Sequence, residues 1–341
     1  MKKLIYKISG FIALLFFLNT GFAQDTDVTT LHETARSLMR QGDFENALQV
    51  LSKALQQQPN DIDLLKDQAF ILYLKRDFAG SIDSCKKILE RPDADVQTYQ
   101  ILGLSYKAIA EYKESDKMYK DALKRFPKSP VLYSEYGALL SENKNEDAAI
   151  KQWEKGIEAD PNYSSNYYYA AKYYAQKGNV LWGILYSEIF VNIESLTKRT
   201  TEIKDILYGG YQKLFNTPES LSKIKQSGTA FEKAVATNFL KLSNLMDSVV
   251  TPEVLTQFHT RLILNWFNRP SRQYPFRLFE HWRTMLQEGY FDAYNQWLVG
   301  ASADTQKYQQ WTQNHAEEVK AFQQFRHNVL FKIPVDQYYP H

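Results

Sequence analysis

Cysteine is almost missing: Cys85 is the single thiol among 341 residues. No intramolecular disulfide can form, so stability must come from packing. Charge of one sign is missing too, with 41 Lys plus Arg against 39 Asp plus Glu. A chain so balanced is not expected to bind nucleic acid through a basic surface. Long apolar runs are absent: the densest, Phe11 to Leu18, is 8 residues, well short of the ~20 a spanning helix needs, so no membrane span is expected. The catalytic motifs that announce themselves in sequence are likewise missing. There is no His-Glu-x-x-His pair, no phosphate-cradling glycine loop and no nucleophile elbow, so the sequence gives no reason to expect an enzyme, a cofactor or a bound metal.

What is present begins with a leader. Lys2, Lys3 and Lys7 precede the apolar run, and Gly21-Phe22-Ala23 places small residues on either side of Phe22. A basic start, a short apolar core and a small-x-small exit are the parts of a secretory signal, here expected at residues 1–23. The chain is therefore expected to be exported, to the periplasm or outside the cell. A lipidated leader would need a cysteine just after Ala23, so no lipid anchor is expected. Cleavage would remove three of the 41 bases, leaving 38 against 39 acids.

The next 170 residues repeat every 34. Leu31, Leu65, Tyr99, Tyr133 and Tyr167 are each one period apart, and four residues later come Ala35, Ala69, Gly103, Gly137 and Ala171, all small. Three further on stand the large residues Leu38, Leu72, Tyr106, Leu140 and Tyr174; nine beyond those come Ala47, Ser81, Ser115, Ala149 and Gly183, small again. Leu51, Cys85, Tyr119, Trp153 and Ser187 follow, and Pro59, Pro92, Pro127 and Pro161 close four of the five units. Small positions let two helices approach closely while large ones fill the space between them. Gly42 and Gly178 fall where a hairpin must turn, and proline ends each second helix. Cys85 falls on the helix-facing position and is expected to be a small buried hydrophobe.

Period and order resemble the tetratricopeptide repeat (TPR) family. The resemblance implies an all-α fold: a TPR superhelix of about five hairpins (28–61, 62–95, 96–129, 130–163 and 164–197, within a domain over 24–197). Such stacks have a concave inner wall. The fifth unit departs from the pattern in lacking its proline and in carrying Gly183 and Ser187.

Residues 198–341 keep helical periodicity and lose the 34-residue period, which predicts a C-terminal α-helical domain capping the last hairpin. Thr217-Pro218-Glu219 and Thr251-Pro252-Glu253 each read as a cap, a first-turn proline and a first-turn acid. Helices are expected at 200–215, 218–226, 229–247, 252–267, 276–298 and 303–328, followed by an extended tail. Trp266, Trp282, Trp297 and Trp311 recur at helical spacing, which reads as core, with a ligand pocket as the lesser alternative.

The resemblance also implies which side chains line the groove. Arg36, Arg40, Lys66 and Lys107 beside Phe70 and Tyr73 would form a basic wall with aromatic footholds, suited to an acidic extended segment of a protein or peptide partner. The expected function is thus an exported adaptor or scaffold in envelope or secretion-related assembly. The alternative is a glycan-binding helical protein, with a sugar stacked on Tyr168 in the tyrosine-rich fifth repeat. His315 and Glu318 share one helix face, but two ligands do not make a metal site.

Overall fold

The computed structural model describes residues 27–246, 249–337 and 339. The leader expected at 1–23, and Tyr338 and Pro340 of the tail, lie outside them. Ten helices form the five expected hairpins: α1 Val28–Gln41 with α2 Phe44–Gln57, α3 Ile62–Leu74 with α4 Phe78–Leu89, α5 Val96–Ala108 with α6 Tyr112–Arg125, α7 Pro130–Glu142 with α8 Glu146–Ala159, and α9 Ser164–Lys177 with α10 Val180–Ile193. Side-chain caps start many of them. Asp43, Asp61, Asp77, Asp95, Ser129 and Asn179 each accept a hydrogen bond from a first-turn backbone N–H, satisfying donors that the helix itself cannot. Pro59, Pro92, Pro127 and Pro161 stand two or three residues past the ends of α2, α4, α6 and α8.

Every hairpin turns through a left-handed residue at the same repeat position. Gly42 and Gly178 do so at φ 80° and 78°, and Arg76, Ala110 and Lys144 do so at 66°, 58° and 60°. Glycine is thus used at the first and last turns only. Consecutive first helices touch one another, whereas consecutive second helices are further apart. The stack therefore curves with α1, α3, α5, α7 and α9 inside, and their exposed faces form the concave wall.

The C-terminal helices are α11 Lys198–Asn216, α12 Glu219–Ser227, α13 Ala230–Leu240, α14 Ser243–Met246, α15 Pro252–Asn268, α16 Arg277–Gln287, α17 Phe291–Asn295, a π turn at Gln296–Gly300, α18 Ala301–Ala303, α19 Thr305–Asn314 and α20 Ala316–Asn328. Three expected helices are subdivided. The 276–298 helix breaks at Gly289, left-handed at φ 78°, and resumes at Phe291. The 303–328 helix breaks between Asn314 and Ala316, where the backbone of His315 is not helical (φ −120°, ψ 37°). The 229–247 helix ends at Leu240, and the short α14 follows it.

One helix joins the two halves. Every residue of α10 from Val180 to Val191 is buried, as a helix apolar on all sides must be. It packs between α9 and α11, and repeats two to five share one continuous apolar core with the C-terminal helices. The tail returns to the repeats: Asn162 donates through Nδ2 to the Ile333 carbonyl (3.0 Å) and accepts through Oδ1 from the Ile333 N–H (2.8 Å). Tyr339 stacks on Phe231, centroids 4.1 Å apart and rings 3° from parallel.

Candidate functional site

The concave wall is laced by polar contacts that step from one first helix to the next. Arg36 Nε donates to Asp67 (2.7 Å), and His32 Nε2 meets the same carboxylate oxygen. Lys66, only 4% exposed, pairs with Asp63 at 2.8 Å and Asp95 at 2.6 Å. Burial works against its charge, but those carboxylates outweigh burial and hold the ammonium above its ordinary value. Gln100 Nε2 donates to Glu135 (2.8 Å), and Lys107 pairs with Glu142. Lys172 donates to Glu202 at 2.5 Å.

Three of the four bases in the expected basic wall, Arg36, Lys66 and Lys107, thus meet carboxylates of this same chain. Arg40 is exposed and forms no ion pair among the described residues. Phe70 and Tyr73 stack on each other, 6.0 Å between centroids and 12° apart, both half-buried. The wall is charge-balanced rather than basic.

Further along the same wall the first helices open into a cavity of about 260 Å³. Leu104 and Lys107 come from α5, Ser134, Glu135 and Ala138 from α7, and Tyr169 from α9, while Tyr119 of α6 lies beneath. Of the residues expected to bind a partner, Lys107 lines this cavity. Gly103 makes the recess possible: a Cβ there would lie 2.2 Å from the Tyr119 hydroxyl. Glu135 accepts from Gln100 and, at 3.3 Å, from the Tyr119 hydroxyl. Burial raises its carboxyl above the usual range despite those bonds and Lys107. Leu104, 39% exposed, adds an apolar surface. Glu135 was missed in sequence, although the signal was there: it occupies the repeat position that is Ile101 and Tyr169 in its neighbours.

Tyr168 has no bare face for a sugar. It is 9% exposed, with the Arg199 guanidinium 5.0 Å and the Lys172 ammonium 4.9 Å from its centroid, Tyr169 and Phe190 packed around it, and its hydroxyl donating to Glu202. The expectation of a glycan platform at Tyr168 is therefore corrected: the ring faces are already covered. Cys85 is fully buried, and burial pushes its thiol up to about 12. His315 stacks on Trp311 (4.5 Å, 11°). Among the described residues no group of three or more His, Cys, Asp or Glu could hold a metal ion, and no helix is long and apolar enough to cross a membrane.

A buried polar cluster, equally unforeseen, pins the cap to the repeats. Glu188 of α10 accepts from Tyr211 (2.8 Å) and from Tyr294. The Tyr211 hydroxyl meets His259 Nε2 at 2.7 Å, His259 Nδ1 meets Asn295 Oδ1 at 2.8 Å, and Trp282 Nε1 donates to the Tyr294 hydroxyl at 3.2 Å. Burial raises Glu188 to about 7, opposed by its hydrogen bonds, and lowers His259 to about 3. Such a cluster specifies one docking of α10, α11, α15, α16 and α17, because any other leaves buried polar groups unpaired. Trp266 and Trp282 are core residues, fully buried, whereas Trp297 and Trp311 line a second cavity of about 500 Å³.

The architecture is that of a curved solenoid of helical hairpins with an interlocked helical cap. Residues 28–71 and 96–129 match models of the tetratricopeptide repeat, and the stacked hairpins are like those of a TPR superhelix. Human "Tetratricopeptide repeat protein 21B" is 31% identical over 140 residues, which are 40% of this chain and 10% of that one. The chain thus spans about a tenth of the length of that curated relative. Among solved structures, a thermophilic TPR protein of Thermus thermophilus is 14% identical, covering 53% of this chain and 99% of its own at a TM-score of 0.45. Pseudomonas aeruginosa pilF is 15% identical, covering 60% and 94% at 0.47. TPR folds mediate protein or peptide binding, and TPR scaffolds are generally non-catalytic.

Proposed function

We propose that this chain is a non-catalytic adaptor that holds an extended segment of a protein partner on its concave wall, anchored in the cavity bounded by Leu104, Glu135 and Tyr169. The observation that carries the reading is that cavity: three successive first helices leave a recess that mixes apolar and polar walls, with the half-buried Glu135 carboxyl at its side. An apolar or aromatic side chain of the partner would fill it, and a neighbouring N–H or O–H would donate to Glu135. Interfaces are dominated by such anchored side chains. Arg36, Arg40, Lys66, Phe70, Tyr73 and Lys107 would flank the segment. Because Asp67, Asp95 and Glu142 already engage three of those bases, charge attraction contributes less than the anchor.

Lys2, Lys3, Lys7 and the apolar run after them support placing the adaptor outside the cytoplasm, in envelope or secretion-related assembly. Selection of peptides from a random library on the purified full chain tests the groove. Selected peptides should share one apolar anchor, and Leu104→Glu should weaken them at least tenfold while Glu158→Lys on the outer helix α8 changes nothing. Peptides indifferent to Leu104→Glu would refute this use of the wall.

A further inference from the structure

The 500 Å³ cavity in the cap lies where α17, the π turn, α19 and α20 meet beside the exposed loop after α10. Its walls are apolar and aromatic: Trp297, Trp311, Phe322 and Val319 line it, and Leu196, 91% exposed, stands at its edge. Among the described residues no Asp or Glu lines it, whereas Arg326 and His327 do. Arg326 is half-buried, with its guanidinium carbon 4.0 Å from the Trp297 ring centroid, and it forms no ion pair among the described residues.

A second cation stands against the same indole. Lys204 of α11 places Nζ 3.7 Å from the Trp297 centroid and donates to the Trp297 carbonyl at 2.6 Å, again with no carboxylate partner among the described residues. Elsewhere in the chain cations held out of water meet acids, as the buried Lys66 and the half-buried Lys172 and Arg199 do. Here two of them share one ring without a counterion. Burial lowers both, Lys204 to about 7 with further repulsion from Arg326. An unpaired cation held out of water costs free energy that an incoming anion returns.

We propose that this cavity binds a small amphipathic organic anion, with its carboxylate or phosphate on Arg326 and its apolar body against Trp297, Trp311 and Phe322. The volume falls within the roughly 300–1,000 Å³ of small-molecule sites, and apolar walls with a few placed polar groups are their usual make-up. The π turn is part of the device. It carries Trp297, and it ends at Gly300, where a Cβ would lie 2.5 Å from the Tyr308 ring. A larger residue at 300 would push Tyr308, another lining residue, out of place. The site is separate from the concave wall and stands or falls independently of it.

Titration calorimetry on the full chain tests the assignment, with decanoate, indole-3-acetate and phenyl phosphate as anions and indole-3-ethanol as the neutral counterpart. One anion per chain should bind, indole-3-ethanol should bind at least tenfold more weakly than indole-3-acetate, and the carboxylate and phosphate arms tell which head group is preferred. Arg326→Gln should weaken the anion at least tenfold with Arg326→Lys retaining most of the affinity. Val319→Glu, which supplies an internal counterion, should abolish binding even if Arg326→Gln proves poorly folded. Failure of all three anions to bind, equal affinity for the neutral alcohol, or indifference to both Arg326→Gln and Val319→Glu would overturn the proposal.

Discussion

Gly137 and Trp153 occupy one space: a Cβ on Gly137 would lie 2.3 Å from Trp153 Nε1, which donates to the Ser134 carbonyl at 3.2 Å. The same two repeat positions carry Ala35 with Leu51, Ala69 with Cys85, Gly103 with Tyr119 and Ala171 with Ser187. Glycine stands wherever the partner is a large aromatic. Gly137→Ala should therefore destabilise the chain by about 1–2 kcal/mol, the overpacking penalty outweighing the ~1 kcal/mol by which alanine favours a helix. In a Trp153→Leu background the same change should be neutral or stabilising. A double-mutant cycle in urea measures the coupling, and simple additivity would contradict the shared-space account.

The left-handed turns predict gains. Ala110 and Lys144 hold positive φ, a conformation costing a side-chain-bearing residue about 1–2 kcal/mol. Part of that is offset by the greater unfolded-state freedom of glycine. Ala110→Gly and Lys144→Gly should each stabilise by roughly 0.5–1 kcal/mol, read as a raised denaturation midpoint. Destabilisation by both would show that these turns are not the strained element.

Glu188 and His259 make opposed contributions to the pH dependence of stability. Glu188 stays protonated up to about pH 7 in the folded chain, against an ordinary value of 4.5. Between those values the folded state binds the extra proton, so the contribution of Glu188 to stability falls as pH rises. His259 stays neutral down to about 3, against 6.5, so its contribution falls as pH drops through that window. The two slopes cancel between 4.5 and 6.5, leaving a plateau that declines on either side. Glu188→Gln should gain on the wild type by on the order of 3 kcal/mol between pH 4.5 and 7.5. A difference between the two proteins that does not change with pH would refute the assignment.

Asn162 clamps the tail with both polar atoms of its amide, across 171 residues of sequence. Asn162→Ala leaves the partly buried Ile333 backbone groups unpaired and should cost about 1–3 kcal/mol. Limited proteolysis should then cut near 329–337 sooner than in the wild type. An unchanged cutting rate would mean that Phe331, Ile333 and the Tyr339 stack hold the tail unaided.

The repeats were legible because a 34-residue period writes the same packing problem five times, and even the exceptional Gly183 has its reason. A Cβ there would lie 3.3 Å from the Ala175 backbone nitrogen, so glycine sets the close approach of α10 to α9. The helix breaks at Gly289 and His315 were not legible, since lone residues of these kinds also occur inside helices. The charge pairing of the wall was hidden because each partner, such as Asp67 for Arg36, lies about one repeat away and must be found by stacking. The Glu188 cluster was hidden further still: its members come from several helices between 188 and 295, with no local pattern linking them.

The central claim is that the partner docks through the Leu104 cavity, and in-cell photocrosslinking from that position tests it most directly. A photoreactive residue at Leu104, against one at exposed Glu158 on α8, is expected to give a defined protein adduct from Leu104 alone. That adduct should disappear when Ala138→Arg fills the cavity. Adducts equally abundant from Glu158, or an adduct from Leu104 that persists with Ala138→Arg, would contradict docking at the concave wall.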